Sequence, residues 1–190
     1  MKKSIAALFA ASISAQQQFL HEYGDALIGA IEEIVRALKA GGKILLFGNV
    51  GSAADAQHIA GELVNRFLLK RHALPAIALT TDGGVLTCIA NDTGFENIFA
   101  RQIEALGAKG DVCLAISTSG TSPNIVAACQ QAREQGIRVI GLLGRDGGGV
   151  KSLCDLTLIV ESDDTQRIQE THNLIGHILC ELIETEIFPE

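Results

Sequence analysis

Five short apolar runs alternate with longer amphipathic segments along the chain. Each run is five to seven residues long and nearly continuous in hydrophobicity, which is typical of strands buried on both faces. Such strands belong to parallel sheets, because helices cover both faces of a sheet of that kind. The predicted strands are KILLFG (43–48), AIALT (76–80), DVCLAIS (111–117), RVIGLLG (138–144) and LTLIV (156–160).

The segments between these runs have the residue spacing of helices. Alternating strand and helix predicts an α/β fold with right-handed crossovers. We therefore expect a three-layer, doubly wound sandwich around a five-stranded parallel sheet. The predicted helices cover residues 53–69, 85–105 with a break near Gly94, 123–135, a short stretch near Val150, and 165–187.

The first forty residues are predicted to form helices that precede this core. One covers roughly residues 3–21. A second follows Gly24-Asp25, carries an apolar face and ends at Gly41-Gly42, as helices commonly do at glycine. We expect a single domain over residues 1–190, in which residues 1–40 are an N-terminal helical extension that packs on the domain or on a partner subunit. An apolar stripe on the first helix, interrupted by Ser12, consists of Ile5, Leu8, Phe9 and Ile13.

The start of the chain allows a second interpretation. Lys2, Lys3, a short apolar run and small residues imitate a secretory signal. We favour the amphipathic helix, because the apolar run is short and helical periodicity continues past it. No apolar stretch approaches the ~20 residues that a membrane-spanning helix needs, so the membrane is not an expected partner.

Composition narrows the range of functions. The 190 residues are 47% hydrophobic and 19% charged, which is enough apolar material for a full core. A net charge of -7 argues against direct binding of nucleic acid, which needs clustered Lys and Arg. The five cysteines are scattered and form no CxxC, so we expect small buried hydrophobes in a reducing, cytoplasmic compartment. They are Cys88, Cys113, Cys129, Cys154 and Cys180.

The loop ISTSGTSPN (116–124) is a candidate site for an anion. Ligands of open parallel sheets bind beyond the carboxyl ends of the strands, and this loop follows a predicted buried strand. Ser122 suits an N-cap and Pro123 the first helical turn, so the loop leads to a helix N-terminus, which favours an anion. It contains no lysine and is not a Walker loop. Its five hydroxyls fit either a neutral phosphate cradle or an ordinary polar turn; its position after a strand favours the cradle.

A histidine and a glutamate share a face of the helix in GNVGSAADAQHIAGEL (48–63). His58 and Glu62 are separated by one helical turn, so both side chains can point at one ion. Imidazole and carboxylate suit a divalent metal such as zinc. An HxxxE pair is also consistent with an exposed helical pair or a simple His-Glu hydrogen bond. What favours the metal is that the helix follows a glycine loop at a strand end.

Taken together, these motifs resemble a known family. STSGTSPN and GNVGSAADAQH are similar to the sugar isomerase (SIS) domain of phosphosugar isomerases and phosphosugar-binding regulators. The resemblance is closer to the bacterial phosphoheptose isomerases and covers nearly the whole chain. It implies a flavodoxin-like SIS fold and conversion of sedoheptulose 7-phosphate to D-glycero-D-manno-heptose 7-phosphate through an enediol, a first step toward the heptose of lipopolysaccharide. The further matching motifs are LTTDGG, IANDTGF, ARQIEALG, GRDGGG and RIQETHNLIGH.

The resemblance also implies roles for individual residues. Glu62 and His177 match the acid/base pair, with Glu62 as base and His177 as acid. A homotetramer in the cytoplasm, with one Zn²⁺ per subunit, is implied as well. The implied zinc ligands are His58, Glu62, Gln169 and His177. The positions implied to contact the sugar phosphate are Asn49, Val50, Gly51, Ser52, His58, Glu62, Asn91, Asp92, Ser117, Thr118, Ser119, Ser122 and Gln169.

The spacing of Gln169 and His177 is difficult to reconcile with one ion. Eight residues of helix advance ~12 Å and rotate by about 80°, so the two side chains barely meet. We therefore expect the last helix to meet the His58–Glu62 pair across a subunit boundary or through flexible closure. Among the other histidines, His172 is expected to be structural or to lie just behind the site. His21 and His72 are expected at the surface.

Two positions depart from the family pattern, and a different function class stays open. Val50 stands where the family usually has glycine, and a β-branched residue resists positive φ. Gly61 loosens its helix by ~1 kcal/mol relative to alanine. VNRF (64–67) and the ending LCELIETEIFPE are similar to a sister branch, a tetrameric scaffold that binds the replication initiator. That branch lacks the glutamate at position 62, so we favour the enzyme; a phosphosugar sensor without turnover is a third possibility.

Overall fold

The protein is described over residues 1–189 by a computed structural model. Within this range the chain forms seven α-helices, one short 3₁₀ helix and five strands. In chain order they are α1 (Lys2–Lys39), β1 (Ile44–Gly48), α2 (Gly51–Val64), β2 (Ala76–Ala78), α3 (Gly83–Thr93), the 3₁₀ helix (Phe95–Asn97), α4 (Ala100–Leu106), β3 (Val112–Ser117), α5 (Pro123–Glu134), β4 (Arg138–Gly144), α6 (Gly148–Lys151), β5 (Leu156–Val160) and α7 (Thr165–Ile187).

All five predicted strands are confirmed, and they pair in parallel in one sheet. Their order is β2-β1-β3-β4-β5. The direction in which strands are added reverses at β1, so β1 and β3 are neighbours and Gly48 pairs with Ile116 at their carboxyl ends. At such a switch point the chain leaves the two neighbouring strands toward opposite faces of the sheet, and a crevice for a ligand opens between the two loops. The sheet therefore places the two loops of interest side by side.

Two apolar cores lie on opposite faces of the sheet, because successive strand residues point to opposite sides. In β1, Ile44 and Leu46 belong to the core that also contains residues of α1, α2 and α7. Leu45 and Phe47 belong to the core formed with α4, α5 and the two residues before α4, Ile98 and Phe99. The predicted three-layer sandwich is confirmed. It anchors α2 and α7 on the same face of the sheet.

The N-terminal region differs from the prediction. α1 is one continuous helix of 38 residues, so the predicted division at Gly24-Asp25 was wrong. A glycine inside a helix costs only about 1 kcal/mol relative to alanine. Phe19 and Leu27 on either side are buried in the same core, and this packing outweighs the cost. The residues before Phe19 are mostly exposed, including the stripe of Ile5, Leu8, Phe9 and Ile13.

The other helices correspond to the predicted ones, with one clear exception. α2 ends at Val64, whereas the prediction extended it to residue 69. The N–H groups of residues 67–69 donate to the buried carboxylate of Glu184 instead of continuing the helix. The predicted break at Gly94 is confirmed, with φ of 99°. None of the helices in residues 1–189 combines the length and apolarity needed to cross a bilayer.

The cysteines are free thiols in different environments. Cys113, Cys129 and Cys180 are buried, as expected, and Cys154 is partly buried. Cys88 is exposed on α3, so the prediction of a buried hydrophobe was wrong there. The reason is that α3 contributes no fully buried residue and lies at the edge of its layer.

Candidate active site

The turn between β1 and α2 is built on close backbone contacts. A Cβ atom at Gly48 would lie 2.7 Å from the Ser52 side chain and 2.8 Å from the Ile116 carbonyl oxygen, so glycine is required. Val50 follows with φ of 51° and ψ of -114°, a conformation that disfavours a β-branched residue. Its side chain is 92% exposed. The structure thus holds Val50 in the positive-φ conformation that a valine was expected to resist.

The chemical centre of the site is a cluster of His58, Glu62 and His177. His58 and Glu62 lie one turn apart on α2, and the Nε2–H of His58 donates to Glu62 Oε1 at 3.0 Å. His177 Nε2 lies 3.9 Å from the same oxygen. The two imidazole rings meet edge to face, with their centroids 5.0 Å apart. Two imidazoles and one carboxylate therefore converge on a single point.

This convergence is produced within one chain. α2 and α7 pack side by side on the sheet, and Gly176 approaches Ile59 so closely that an added Cβ would lie 3.0 Å from its side chain. This close approach brings His177 against Glu62 without a second subunit. The expectation was that the last helix, or its N-terminal end, meets the pair across a subunit boundary or through flexible closure; His177 needs neither. The helices run in the same direction, so the contact repeats along their length.

The cluster has the properties of a site for a divalent cation. One ligand atom from each of the three residues can be chosen so that all lie within 4.8 Å of one another. Glu62 Oε2 is buried and has no hydrogen-bond partner, which is costly for a carboxylate oxygen unless a further group binds it. Imidazole and carboxylate are the ligands that zinc accepts most readily besides thiolate. The residues present fit a metal ion of this kind.

Gln169 does not join this cluster. It lies on α7 two turns before His177, beside the first turn of α2, where a Cβ at Gly51 would overlap the Gln169 amide. This contact explains why residue 51 is glycine. The placement agrees with the ~12 Å helical separation that made a shared ion difficult. Within one chain, Gln169 lies beside the strand-end loops, and His177 lies beside Glu62.

The serine loop between β3 and α5 is internally organised. Ser117 Oγ accepts the Gly120 N–H at 3.0 Å, and Ser119 Oγ accepts the Thr121 N–H at 3.3 Å. Ser122 occupies the N-cap of α5, as predicted, but its hydroxyl makes no capping bond. The Ser122 carbonyl accepts the N–H groups of Ile125 and Val126, so the Ser122 hydroxyl is the group at this helix start that is left for a ligand. Thr118 is partly buried in the same loop.

Two amide hydrogen bonds join this loop to the turn after β1. Asn49 Nδ2 donates to Asn124 Oδ1 at 2.9 Å, and Asn124 Nδ2 donates to Asn49 Oδ1 at 2.8 Å. A cavity of about 280 Å³ lies here, lined by Asn49, Phe95, Glu96, Ser122, Pro123 and Asn124. A smaller one of about 170 Å³ also contacts Asn49 and Phe95, and reaches Val50. The crevice at the switch point thus combines the Ser122 hydroxyl and the two amides with apolar side chains and the Glu96 carboxylate.

The two parts of the site are well separated within the chain. Glu62 lies eleven residues after Gly51, which is at the crevice, and this spacing corresponds to about 16 Å of helix. A seven-carbon sugar phosphate reaches that far only with difficulty. The structure therefore brings Glu62, His58 and His177 together, but it leaves them distant from Ser122 and the rest of the serine loop.

The remaining predicted residues have varied positions. Asn91 and Asp92 lie on the exposed surface of α3, where Asn91 Nδ2 donates to Asp92 Oδ1 at 2.8 Å. Ser52 is buried in the first turn of α2. His172 is fully buried and its Nε2–H donates to the Leu143 carbonyl at 3.0 Å, so its structural role is confirmed. Burial lowers the pKa of His172 to about 4, although the Leu143 bond raises it. His21 and His72 are exposed, as expected.

The structure adds two residues that the sequence analysis did not identify. Phe67 stacks on the His177 ring with a centroid distance of 5.9 Å and an interplanar angle of 18°. Asp55 lies one turn before His58 on α2, and burial raises its pKa, although Asn173 and the His58 imidazole lower it. The spacing of Asp55 and His58 is visible in the sequence. The place of Phe67 is not, because it lies in an irregular segment.

Comparisons with known proteins agree with this geometry. A family model described as the SIS domain matches residues 8–144. Phosphoheptose isomerase of Clostridium acetobutylicum is 52% identical over 192 aligned positions, which cover 100% of this chain and 98% of the relative. The relatives are thus similar along their whole length, and not through the loops alone.

Solved structures give the same result for the fold. Phosphoheptose isomerase GmhA from Neisseria gonorrhoeae is 43% identical with a TM-score of 0.92, and the match covers 97% of this chain and 98% of that one. A phosphoheptose isomerase from Francisella tularensis is 38% identical with a TM-score of 0.91 and the same coverage. Such scores mean that the helices and strands superpose nearly throughout.

Proposed function

This chain belongs to the SIS domain family, and within it to the phosphoheptose isomerases, and we propose that Glu62 and His177 carry out the proton transfers of its aldose–ketose isomerisation. The substrate proposed is sedoheptulose 7-phosphate, and the product is D-glycero-D-manno-heptose 7-phosphate. The observation that carries the proposal is the 3.9 Å separation between Glu62 Oε1 and His177 Nε2. The two residues belong to different helices.

The reaction requires a base, an acid and an enediol intermediate. Glu62 takes a proton from C1 of the ketose, and the electron pair of that C–H bond forms the C1–C2 double bond of the enediol. His177 gives a proton to the carbonyl oxygen on C2. Return of a proton to C2 and loss of one from the oxygen on C1 complete the aldose. Carboxylates and imidazoles are common groups in general acid–base catalysis, which suits these steps.

Zinc is the cofactor proposed, one ion per subunit, held by His58, Glu62 and His177. When bound, it supplies Lewis-acid polarisation of the substrate's carbonyl oxygen. The buried, unpaired Oε2 of Glu62 supports this assignment. Gln169 is proposed as a ligand or substrate contact from a neighbouring subunit, since its own chain places it near Gly51.

The phosphate is proposed to bind at the crevice between β1 and β3. The free Ser122 hydroxyl and the positive end of the α5 helix dipole favour an anion. Binding energy from this remote end positions the reacting carbons. The other proposed contacts are Asn49, Val50, Gly51, Ser52, Asn91, Asp92, Ser117, Thr118 and Ser119.

A homo-oligomer, with a tetramer as the proposed form, explains the distance between the two parts of the site. About 16 Å of α2 separates Glu62 from the crevice of its own chain. A second copy can bring its crevice against Glu62 and His177 and complete the site. The exposed apolar side chains of Leu8 and Phe9 on α1, 57% and 68% accessible, offer a contact surface for such a partner.

Domain organisation and location belong to the same proposal. We propose a single SIS domain over residues 1–190, with residues 1–40 as its helical extension, and a cytoplasmic location. The burial of Phe19 and Leu27 in the core supports the first part. Free cysteines support the second. The scaffold that binds the replication initiator and the phosphosugar sensor are not favoured, because the named relatives are isomerases.

Incubation with sedoheptulose 7-phosphate in D₂O tests the function. Proton NMR should record a heptose 7-phosphate that carries solvent deuterium at C2, because the enediol accepts its proton from groups that exchange with water. Conversion without deuterium would replace the enediol by a direct hydride shift. Binding without conversion would favour the sensor, and tight capture of the replication initiator without conversion would favour the scaffold.

A further inference from the structure

The segment that follows α2 has no regular secondary structure, yet a single side chain organises it. The buried carboxylate of Glu184, on α7, accepts the N–H groups of Phe67, Leu68 and Leu69 at 3.1, 2.7 and 2.8 Å. Three successive backbone donors directed at one carboxylate fix the path of a segment that no helix or strand supports. Glu184 is therefore the centre around which this segment folds.

Arg71 completes this arrangement. Its Nε–H donates to Glu184 Oε1 at 2.6 Å, and the side chains of the two residues are 2% and 1% exposed. Burial raises the pKa of Glu184, but the three N–H groups and the guanidinium lower it more, so its pKa lies below the usual range. Two charges removed from water need hydrogen-bond partners as well as each other, and Arg71 makes four hydrogen bonds, including one to Glu184 and one to the His72 carbonyl.

The same guanidinium also holds the end of α2. Arg71 Nη1 donates to the Leu63 carbonyl at 2.9 Å, and Nη2 donates to the Glu62 carbonyl at 3.0 Å. These carbonyls belong to the last turn of the helix, where no intrahelical partner is available. One buried ion pair thus fixes the backbone of Glu62 and the segment that carries Phe67.

The position of Phe67 relative to His177 gives the arrangement a consequence for the reaction. Glu184 lies seven residues after His177 on α7, two turns further along the same side of the helix. The segment it holds turns back, so the Phe67 ring lies nearly parallel to the His177 imidazole at 5.9 Å. The other neighbours of that imidazole are His58 and Glu62. The imidazole, which is 40% exposed, therefore contacts both the Phe67 ring and the α2 cluster.

We propose that Phe67 is a positioning residue for His177, and that the buried Arg71–Glu184 pair keeps Phe67 in place. The stacked ring limits rotation of the imidazole and directs Nε2 toward Glu62 and the substrate. Phe67 itself touches no reacting atom. This inference rests on the proposed function, because it gives Phe67 a part in the same proton transfer.

Substitution of Phe67 separates positioning from general support of the fold. Phe67→Leu keeps an apolar side chain but removes the stacked ring, so kcat for sedoheptulose 7-phosphate should fall about three- to tenfold, the range of one aromatic pair. KM should stay near the wild-type value, because Phe67 is not among the proposed phosphate contacts. Phe67→Tyr should restore kcat. Leu106→Ala, an exposed apolar residue on α4, is the matched control and should match the wild type.

A spectroscopic measurement tests the same idea without turnover. In full-length protein with ¹³C-labelled histidine, the Hε1 signal of His177, assigned by its loss in His177→Asn, should be shifted upfield by the ring current of Phe67. The shift should vanish in Phe67→Leu and persist in Phe67→Tyr. In Arg71→Lys, a single ammonium group replaces the planar guanidinium, which donates several hydrogen bonds in fixed directions. The His177 signal should then move toward its position in Phe67→Leu.

Each outcome tests a different part of the proposal. A wild-type kcat in Phe67→Leu, or an unshifted His177 signal in the wild type, would overturn the positioning role. An unchanged signal in folded Arg71→Lys would overturn the anchoring role of the ion pair. An inactive wild type would contradict the proposed function, while the chemical shift of His177 would still decide whether Phe67 orients it.

Discussion

The Oε1 atom of Glu62 and the Nε2 atom of His177 lie 3.9 Å apart, although one residue belongs to α2 and the other to α7. The distance is slightly longer than a hydrogen bond and leaves room for a substrate oxygen or a metal ion between the two groups. His58 donates to the same carboxylate oxygen at 3.0 Å and fixes its orientation. The relationship makes Glu62 the residue on which the chemistry of the site depends.

Glu62→Gln should abolish isomerisation and leave the fold intact. The amide has nearly the same shape but cannot accept a proton from carbon, and loss of general acid–base catalysis typically costs about 10²- to 10⁴-fold in rate. Initial rates with sedoheptulose 7-phosphate and the thermal unfolding curve are the measurements. Glu181→Gln, at an exposed position on α7, is the control and should retain full activity. Substantial activity in Glu62→Gln would remove Glu62 from the role of base.

Zinc should stabilise the protein through the same cluster. A ligand that binds only the folded state at a hundred times its Kd adds about 2.7 kcal/mol to the free energy of unfolding. Zn²⁺ added to metal-free protein should therefore raise Tm, and a chelator should reverse the change. His58→Asn should lose most of the increase, whereas His21→Asn, which alters a side chain 84% exposed on α1, should keep it. Equal increases in both variants would argue against the cluster as the site.

Ser122→Ala should weaken substrate binding more than it slows the chemistry. A hydroxyl that donates to a phosphate oxygen forms a charge-assisted hydrogen bond, and its loss should raise KM on the order of tenfold. The hydroxyl makes no capping bond to α5, so the fold should be little affected. Steady-state kinetics distinguish KM from kcat. Ser152→Ala, a control outside the crevice, should leave KM unchanged, and an unaltered KM in Ser122→Ala would place the phosphate elsewhere.

Val50→Gly should stabilise the protein. Val50 has φ of 51°, and backbone strain of this kind costs on the order of 1–3 kcal/mol. Glycine relieves the strain, but the greater entropy of its unfolded chain offsets part of the gain in stability. The expected gain in the free energy of unfolding is about 1 kcal/mol, measured by urea denaturation. Val85→Gly, in the helical first turns of α3, should have the opposite sign. A loss of stability in both variants would show that Val50 is not strained.

Acid should destabilise the protein through His172. Its pKa is about 4 in the folded protein and 6.5 in the unfolded chain, because burial disfavours the charged form. Between these pH values the unfolded state binds more protons, so the free energy of unfolding falls as the pH falls from 6.5 to 4. The full effect is about 3 kcal/mol. Denaturation at several pH values should show this slope in the wild type and in the exposed-site control His72→Gln, but a reduced slope in His172→Gln.

Much of the fold follows from local patterns that the sequence displays directly. β1 and β3 are continuous apolar runs because both of their faces are covered, and this signal does not depend on the rest of the chain. The break at Gly94 and the start of α5 at Pro123 are likewise local properties of the backbone. The errors arose where packing outweighs propensity. α1 continues through Gly24 because both flanking segments are buried together, and α2 stops at Val64 because Glu184, far away in sequence, takes the next N–H groups.

For the site, the sequence alone determined that His58 and Glu62 share a helix face and that a hydroxyl-rich loop precedes a helix N-terminus, since each depends only on helical spacing. Tertiary structure alone decided the rest. Packing of α7 beside α2 brought His177 to Glu62 within one chain and left Gln169 beside Gly51. It also put Phe67 over His177. Contacts between residues distant in sequence depend on how whole helices pack on the sheet, and no local pattern of side chains encodes that packing.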